Sequence, residues 1–285
     1  MKKVIIVGID FSKGSMQALE YAIMIANKAS ANILMVWVGK GKVSSSIYLP
    51  QASDARLEVK MRFEEIKEKY SDIMIGGKLM FKLRNGKVYK EIVNQAKYHD
   101  AFLIVAGTHG VTGFEEFWLG SNANKIVTYA PCPVITVGYK EDTKMELKRI
   151  IVPIDSTRQT RQKLPMSCIL AKQFDAELHI VSLYSSTVKS IRNIVDSYSE
   201  QVVKIIEEMD LKYVTATVEA DNVTNSTIEY ARKVDGDLIA IMTEQETSTA
   251  NILLGPYAQQ MVNHSQIPVL SLHTKYFYDA QVDVE

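Results

Sequence analysis

The chain has 285 residues, room for two domains of average size. Apolar residues at 47% and charged residues at 23% describe an ordinary globular protein, with 33 Lys plus Arg balanced by 33 Asp plus Glu. A net charge of zero argues for neither nucleic acid nor an anionic membrane surface as partner, and no apolar stretch approaches membrane-spanning length.

Lys3-Val-Ile-Ile-Val-Gly-Ile-Asp10 is a short apolar run ended by a charge. It is too short for a signal peptide and reads as a buried first strand. Further strands are predicted near 32–38, 73–83, 102–106 and 133–137, with helices near 14–29, 51–70, 87–99 and 121–129. Gly39-Lys-Gly41-Lys42 lacks the spacing and hydroxyl of a Walker loop and reads as a solvated turn. Strands rich in Val and Ile, each followed by a helix, predict a parallel sheet covered on both faces. Cys132 and Cys168 read as buried thiols that suit a reducing cytosol, so a cytoplasmic location is expected.

The pattern then repeats. Lys148-Arg-Ile-Ile-Val-Pro-Ile-Asp155 matches Lys3–Asp10 at six of eight positions. Leu254-Gly255 answers to Leu119-Gly120, and Pro268-Val269 to Pro133-Val134, after a net shortening of ten residues. The chain is therefore a duplication, with domains expected at 1–144 and 145–285 and a polar join at Tyr139–Glu146.

The most chemistry-bearing stretch is Gly107-Thr-His-Gly110-Val-Thr-Gly113-Phe-Glu-Glu-Phe-Trp-Leu-Gly120-Ser121. It follows a strand and precedes a helix for which Ser121 is the expected N-cap. Glycines let backbone approach a ligand closely, and a helix N-terminus offers N–H groups and positive partial charge, so a nucleotide phosphate is expected here. The loop is neither a Walker A nor a Rossmann fingerprint. Its spacing, Gly107-x2-Gly110-x9-Gly120-Ser121, with the Pro131-Cys-Pro133-Val-Ile-Thr-Val137 strand after it, resembles the ATP-binding signature of the universal stress protein family.

That resemblance implies two tandem doubly wound α/β domains, each a five-stranded parallel sheet in the order 3-2-1-4-5 flanked by helices. Ligands of such sheets bind where the strand order reverses, which would bring Asp10 and Gly107 together. Backbone N–H groups of Gly110, Ser121 and Asn122, with the Ser121 hydroxyl, would cradle phosphates, and Gly120 is counted among the nucleotide-binding residues. Asp10 would lie beside the ribose, its other reading being the N-cap of the first helix. By the same resemblance, Val38 would read the adenine edge, Ala106 and Gly107 would line the sugar–phosphate path, and Ile9 would border the base pocket. Magnesium would bridge the phosphates, although no carboxylate pair stands out to hold it.

His109 is read as a loop-stabilising residue, and Phe117 and Trp118 as packing beneath the loop. No zinc spacing, nucleophile elbow or Ser–His–Asp set is evident, so no catalytic residue is assigned. In the second repeat Met242 and Gln245 replace Gly107 and Gly110, Pro256 replaces Ser121, and Glu244 and Glu246 add negative charge, so a lost site is expected. Asp237-Leu238 opens the fourth strand of that repeat, where Phe102 departs from the family pattern in the first.

The expected function is an ATP-dependent stress-response or signalling binding protein with an unidentified protein partner. The alternatives are a slow ATPase or phosphotransferase, or a nucleotide-free scaffold. The final strands, Val134–Val137 and Val269–Leu272, are apolar edges expected to pair within one chain as a pseudo-dimer, with a homodimer as the competing arrangement.

Overall fold

The computed structural model describes residues 2–39, 50–108, 120–139, 145–243, 245–248 and 251–274, with backbone alone at 50–55, 245–248 and 251–253. The first unit runs β1 (Val4–Gly8), α1 (Lys13–Ala29), β2 (Asn32–Gly39), α2 (Pro50–Lys69), β3 (Leu79–Asn85), α3 (Val88–Tyr98), β4 (Leu103–Gly107), α4 (Ser121–Tyr129) and β5 (Val134–Val137). The second runs β6 (Arg149–Ile154), a 3-10 helix (Arg158–Lys163), α5 (Leu164–Phe174), β7 (Glu177–Tyr184), α6 (Lys189–Glu208), β8 (Tyr213–Glu219), α7 (Val223–Lys233) and β9 (Leu238–Thr243). It closes with β10 (Gln245–Ser248), β11 (Asn251–Leu254), α8 (Pro256–His264) and β12 (Val269–His273).

Ten strands form one sheet in the order β3-β2-β1-β4-β5-β12-β9-β6-β7-β8. The first half carries the expected 3-2-1-4-5 order, and the second half repeats it in reverse across the seam. Neighbours within each half are parallel, whereas β5 and β12 pair antiparallel, with Val269 opposite Thr136, Leu270 opposite Ile135 and Ser271 opposite Val134. The two apolar edges thus cover each other inside one chain. His273 adds a polar tie across the seam: its Nε2–H donates to the Val127 carbonyl of α4, and a carbonyl can only accept.

Alternation along the strands builds two cores, one on each sheet face. Ile5, Val7, Leu103, Val105 and Ile135 pack on the face shared by α1, with Ile150, Val152 and Leu270 continuing it in the second unit. Ile6, Ile104, Val134, Ile151 and Val269 pack on the opposite face, beneath α3, α4, α7 and α8. Cys132 and Cys168 lie buried, and burial pushes their thiols up to about 12 and about 11.

One predicted element is misplaced. Strand β3 begins at Leu79, whereas apolar residues from 73 onward suggested an earlier start. The Asn27 side chain of α1 holds the preceding segment, donating to the Ile73 carbonyl at 2.8 Å and accepting from the Ile75 and Gly76 N–H groups at 3.0 and 2.8 Å. A β-carbon on Gly77 would lie 2.1 Å from the Ala31 carbonyl, so the chain is pressed onto α1 before it can enter the sheet.

Candidate nucleotide site

The site begins where β1 ends. Ser12 is the N-cap of α1, accepting from the Ser15 N–H at 3.2 Å. Asp10 does not cap the helix as one reading expected. Its Oδ1 instead accepts from the Ser12 N–H and hydroxyl at 3.0 and 2.5 Å, so the aspartate orients the capping serine. The Ser15 hydroxyl accepts from the Asp10 N–H at 3.3 Å and donates to the Ser12 carbonyl at 3.0 Å. Between them Phe11 sits at φ 63°, a left-handed conformation that a bulky side chain rarely adopts. Packing holds it there: its ring lies 5.2 Å from that of Phe63, with the Arg62 guanidinium 5.1 Å away on it.

Strand β4 lies beside β1, Val105 pairing with Val7, and it delivers Gly107 against the first turn of α1. A β-carbon on Gly107 would stand 2.8 Å from the Gly14 carbonyl oxygen. Packing alone therefore demands glycine here. The next residue, Thr108, donates its N–H to Val137 at 3.0 Å and accepts from the Gly120 N–H at 2.7 Å. That second bond closes the neck of the 109–119 loop. Gly110, His109, Phe117 and Trp118 lie outside the described residues.

Helix α4 starts from this neck. Its N-cap is Gly120, at φ −53° and ψ 135°, and no side chain caps it. Ser121, expected as the cap, is the first helical residue, and both it and Asn122 are exposed. Among the described residues, the positive end of the helix thus faces outward at the strand ends without a side-chain cap. The remaining expected residues frame this corner. Ile9 donates its N–H to Val36 at 2.9 Å, and its side chain is buried in the α1-side core, so only its backbone faces the strand ends. Ala106 is buried beneath α4, and Val38 is half-buried on the same face, on the strand beyond β1.

Gly14, Phe11, Ser12, Ser15 and Thr108 escaped the sequence reading. A signal for the hydroxyls existed: Asp10, Ser12 and Ser15 recur at the same spacing as Asp155, Thr157 and Thr160. The second unit repeats the device, with Asp155 Oδ1 accepting from the Thr157 N–H and hydroxyl at 2.8 and 2.6 Å and Thr160 Oγ1 accepting from the Asp155 N–H at 3.1 Å. Asp155 is no helix cap either, because a 3-10 helix intervenes and α5 starts only at Leu164.

Around that shared device the two units differ. Met242 is buried where Gly107 stands, Pro256 opens α8 without an N–H to offer, and the β10–β11 hairpin replaces the glycine loop, with β11 lying against α4 of the first unit. Glu244 lies outside the described residues, as do the side chains of Gln245 and Glu246. Lys163, buried where the first unit has Ala18, donates to Thr160 Oγ1 at 3.0 Å. Burial pulls its amine down to about 8, with Asp155 pulling the other way.

At the opposite end of the strands, Asp237 accepts from the Lys148 and Arg149 N–H groups at 2.7 and 2.9 Å, while in the first unit the Lys3 amine lies 4.5 Å from the Phe102 ring. The Phe102 departure therefore falls far from the site. Among the described residues no cluster of His, Cys, Asp and Glu could hold a metal ion, and no helix is long and apolar enough to cross a membrane.

Comparison with known proteins agrees with this architecture. Universal stress protein YxiE of Bacillus subtilis is 31% identical over 144 residues, 46% of this chain and 96% of that protein. Universal stress protein MJ0531 of Methanocaldococcus jannaschii is 33% identical over 140 residues, 47% of this chain and 81% of that protein. A crystal structure of a universal stress protein from Archaeoglobus fulgidus superposes with a TM-score of 0.75 at 17% identity, covering 95% of this chain and 98% of that one, a likeness of fold. The family model of the universal stress proteins matches twice, at residues 1–138 and 146–273, so the chain belongs to the universal stress protein family, in tandem form.

Proposed function

We propose that the first unit, residues 1–144, binds ATP and that the chain acts as a nucleotide-dependent binding protein in stress response or signalling. The phosphates lie at the N-terminus of α4, on the N–H groups of Ser121 and Asn122 and on Gly110, with Gly120 allowing their close approach. The ribose lies beside Asp10, and the adenine lies past Ala106 and Gly107 against Val38, with magnesium accompanying the phosphates. The observation that carries this reading is the contrast between the repeats. Both keep the Asp–hydroxyl device and a glycine N-cap on the helix beside it, but only the first has Gly107 at the end of the fourth strand and the Ser121 N–H at the first helical position, where the second has the buried Met242 and Pro256, which has no N–H. Charge supports the same assignment, since residues 1–144 hold 20 Lys and Arg against 14 Asp and Glu, a field that favours an anionic ligand in the first unit.

Calorimetric titration of the full chain with ATP and magnesium tests this. One site per chain is expected, removed by Gly110→Val. Two equivalent sites, or no binding, would contradict the proposal.

A further inference from the structure

The two repeats also differ in the groove between their last two helices. In the first unit aromatic side chains meet across the groove between α3 and α4: the Tyr89 and Tyr129 rings lie 5.7 Å apart, and the Lys125 amine stands 5.4 Å from the Tyr89 ring centre. Helices α7 and α8 have the same lengths as α3 and α4, so the equivalent positions are Thr224, His264 and Gln260. Each is smaller than its counterpart. What remains is an open cleft of about 440 Å³ lined by the buried Ile228 and the exposed Asn222, Asn225, Glu229, Arg232, Gln260 and His264.

The cleft has a definite polarity. Gln260 Oε1 accepts from the Thr224 hydroxyl at 3.2 Å, which leaves its amide NH2 as a donor for the cleft. Glu229 and Arg232 stand one helical turn apart, a spacing at which opposite charges commonly pair, yet neither makes an ion pair among the described residues. The lining therefore offers a guanidinium and an amide donor for an anionic group, a carboxylate for a cationic one, and the buried Ile228 side chain as an apolar floor. A ligand that satisfies all three carries a carboxylate, an ammonium and a short hydrocarbon portion.

We infer that the α7–α8 cleft is a binding site for a free amino acid. Its carboxylate pairs with Arg232 and the Gln260 amide, its ammonium pairs with Glu229, and its side chain lies on Ile228. The second unit, whose nucleotide loop is replaced, thus carries a ligand site at the groove across which the first unit's tyrosines meet. This inference does not depend on ATP binding in the first unit.

Amide chemical shifts of the isotopically labelled full-length chain, titrated separately with each of the twenty proteinogenic amino acids, test it. At least one amino acid is expected to give saturable shifts at Asn225, Glu229, Arg232 and Gln260. Arg232→Ala should weaken that response at least tenfold. Thr224→Tyr with His264→Tyr, which restores the residues of the first unit, should abolish it while the spectrum stays dispersed. Glu229→Gln should weaken the amino acid but not the corresponding carboxylic acid without its amine. No saturable shift with any of the twenty, shifts confined to other regions, or a response that survives both Arg232→Ala and the double tyrosine variant would overturn the assignment. Equal affinity for the amine-free acid in the unsubstituted protein would overturn it as well.

Discussion

Gly107 and Gly14 are in backbone contact: a β-carbon on the first would stand 2.8 Å from the carbonyl oxygen of the second. Neither the end of β4 nor the first turn of α1 can move aside without disturbing the sheet or the Ser12 cap. Gly107→Ala should therefore destabilise the chain by about 1–3 kcal/mol, the scale of overpacking a dense site, whether or not nucleotide is present. Urea unfolding without ligand measures it. An unchanged midpoint would mean that the contact is slack and that glycine is there only for a ligand.

Asp10 and Asp155 hold equivalent serine and threonine hydroxyls, yet only Asp10 stands next to the proposed phosphate corner. Asp10→Ala and Asp155→Ala should each cost about 1–2 kcal/mol of stability, because each removes a charged acceptor from a turn. Only Asp10→Ala should also weaken ATP, by tenfold or more, a loss of about 1.4 kcal/mol. If Asp155→Ala weakens ATP to the same extent, the effect of either substitution is structural.

Much of this was readable from local pattern. The elements and the duplication follow from short Val- and Ile-rich runs separated by amphipathic segments, and the strand order was implied by the family resemblance that the glycine spacing carries. What escaped depends on contacts distant in sequence. The start of β3 is set by Asn27, about fifty residues upstream, and the need for glycine at 107 comes from α1, more than ninety residues away. The cap of α4 went to Gly120 rather than Ser121 because Thr108 fixes Gly120 by its N–H. The β10–β11 hairpin escaped for another reason: its residues read as a decayed loop, and nothing local distinguishes decay from a new pairing.

The seam between β5 and β12 is testable through its register. Thr136 stands directly opposite Val269, whereas Ser271 stands opposite Val134. A Thr136→Cys, Val269→Cys chain should form an internal disulfide under mild oxidation, and Thr136→Cys with Ser271→Cys should do so far less readily, since diagonal neighbours are farther apart. Non-reducing gels and peptide mapping distinguish the products. Covalent dimers as the main product would show that the edges pair between chains, with domain exchange at the 139–146 join.

Lys163 makes the stability of the second unit depend on pH. Its amine titrates at about 8 in the folded chain and near 10.5 when unfolded, because burial disfavours the charged form. Between those values the unfolded chain binds a proton that the folded chain has released, so this group's contribution to stability rises with pH. Below about pH 8 both states are charged, and folding carries the full cost of burying the ammonium, on the order of 3 kcal/mol. The thiols act in the opposite sense: Cys132 and Cys168 are raised from 9.0 to about 12 and about 11, so their contribution falls as pH rises beyond 9. A single pH profile mixes these effects, and the difference between the protein and Lys163→Met separates them. Methionine fills a similar volume without the charge, so the variant should be more stable at neutral pH by a few kcal/mol (about two to three), an advantage that shrinks toward zero as the pH approaches 10.5. Urea midpoints for both proteins at matched pH values give that difference directly. A difference that stays constant across the range would show that Lys163 does not titrate in it. A variant less stable at neutral pH would show that the Thr160 hydroxyl and the Asp155 charge together outweigh the burial of the amine.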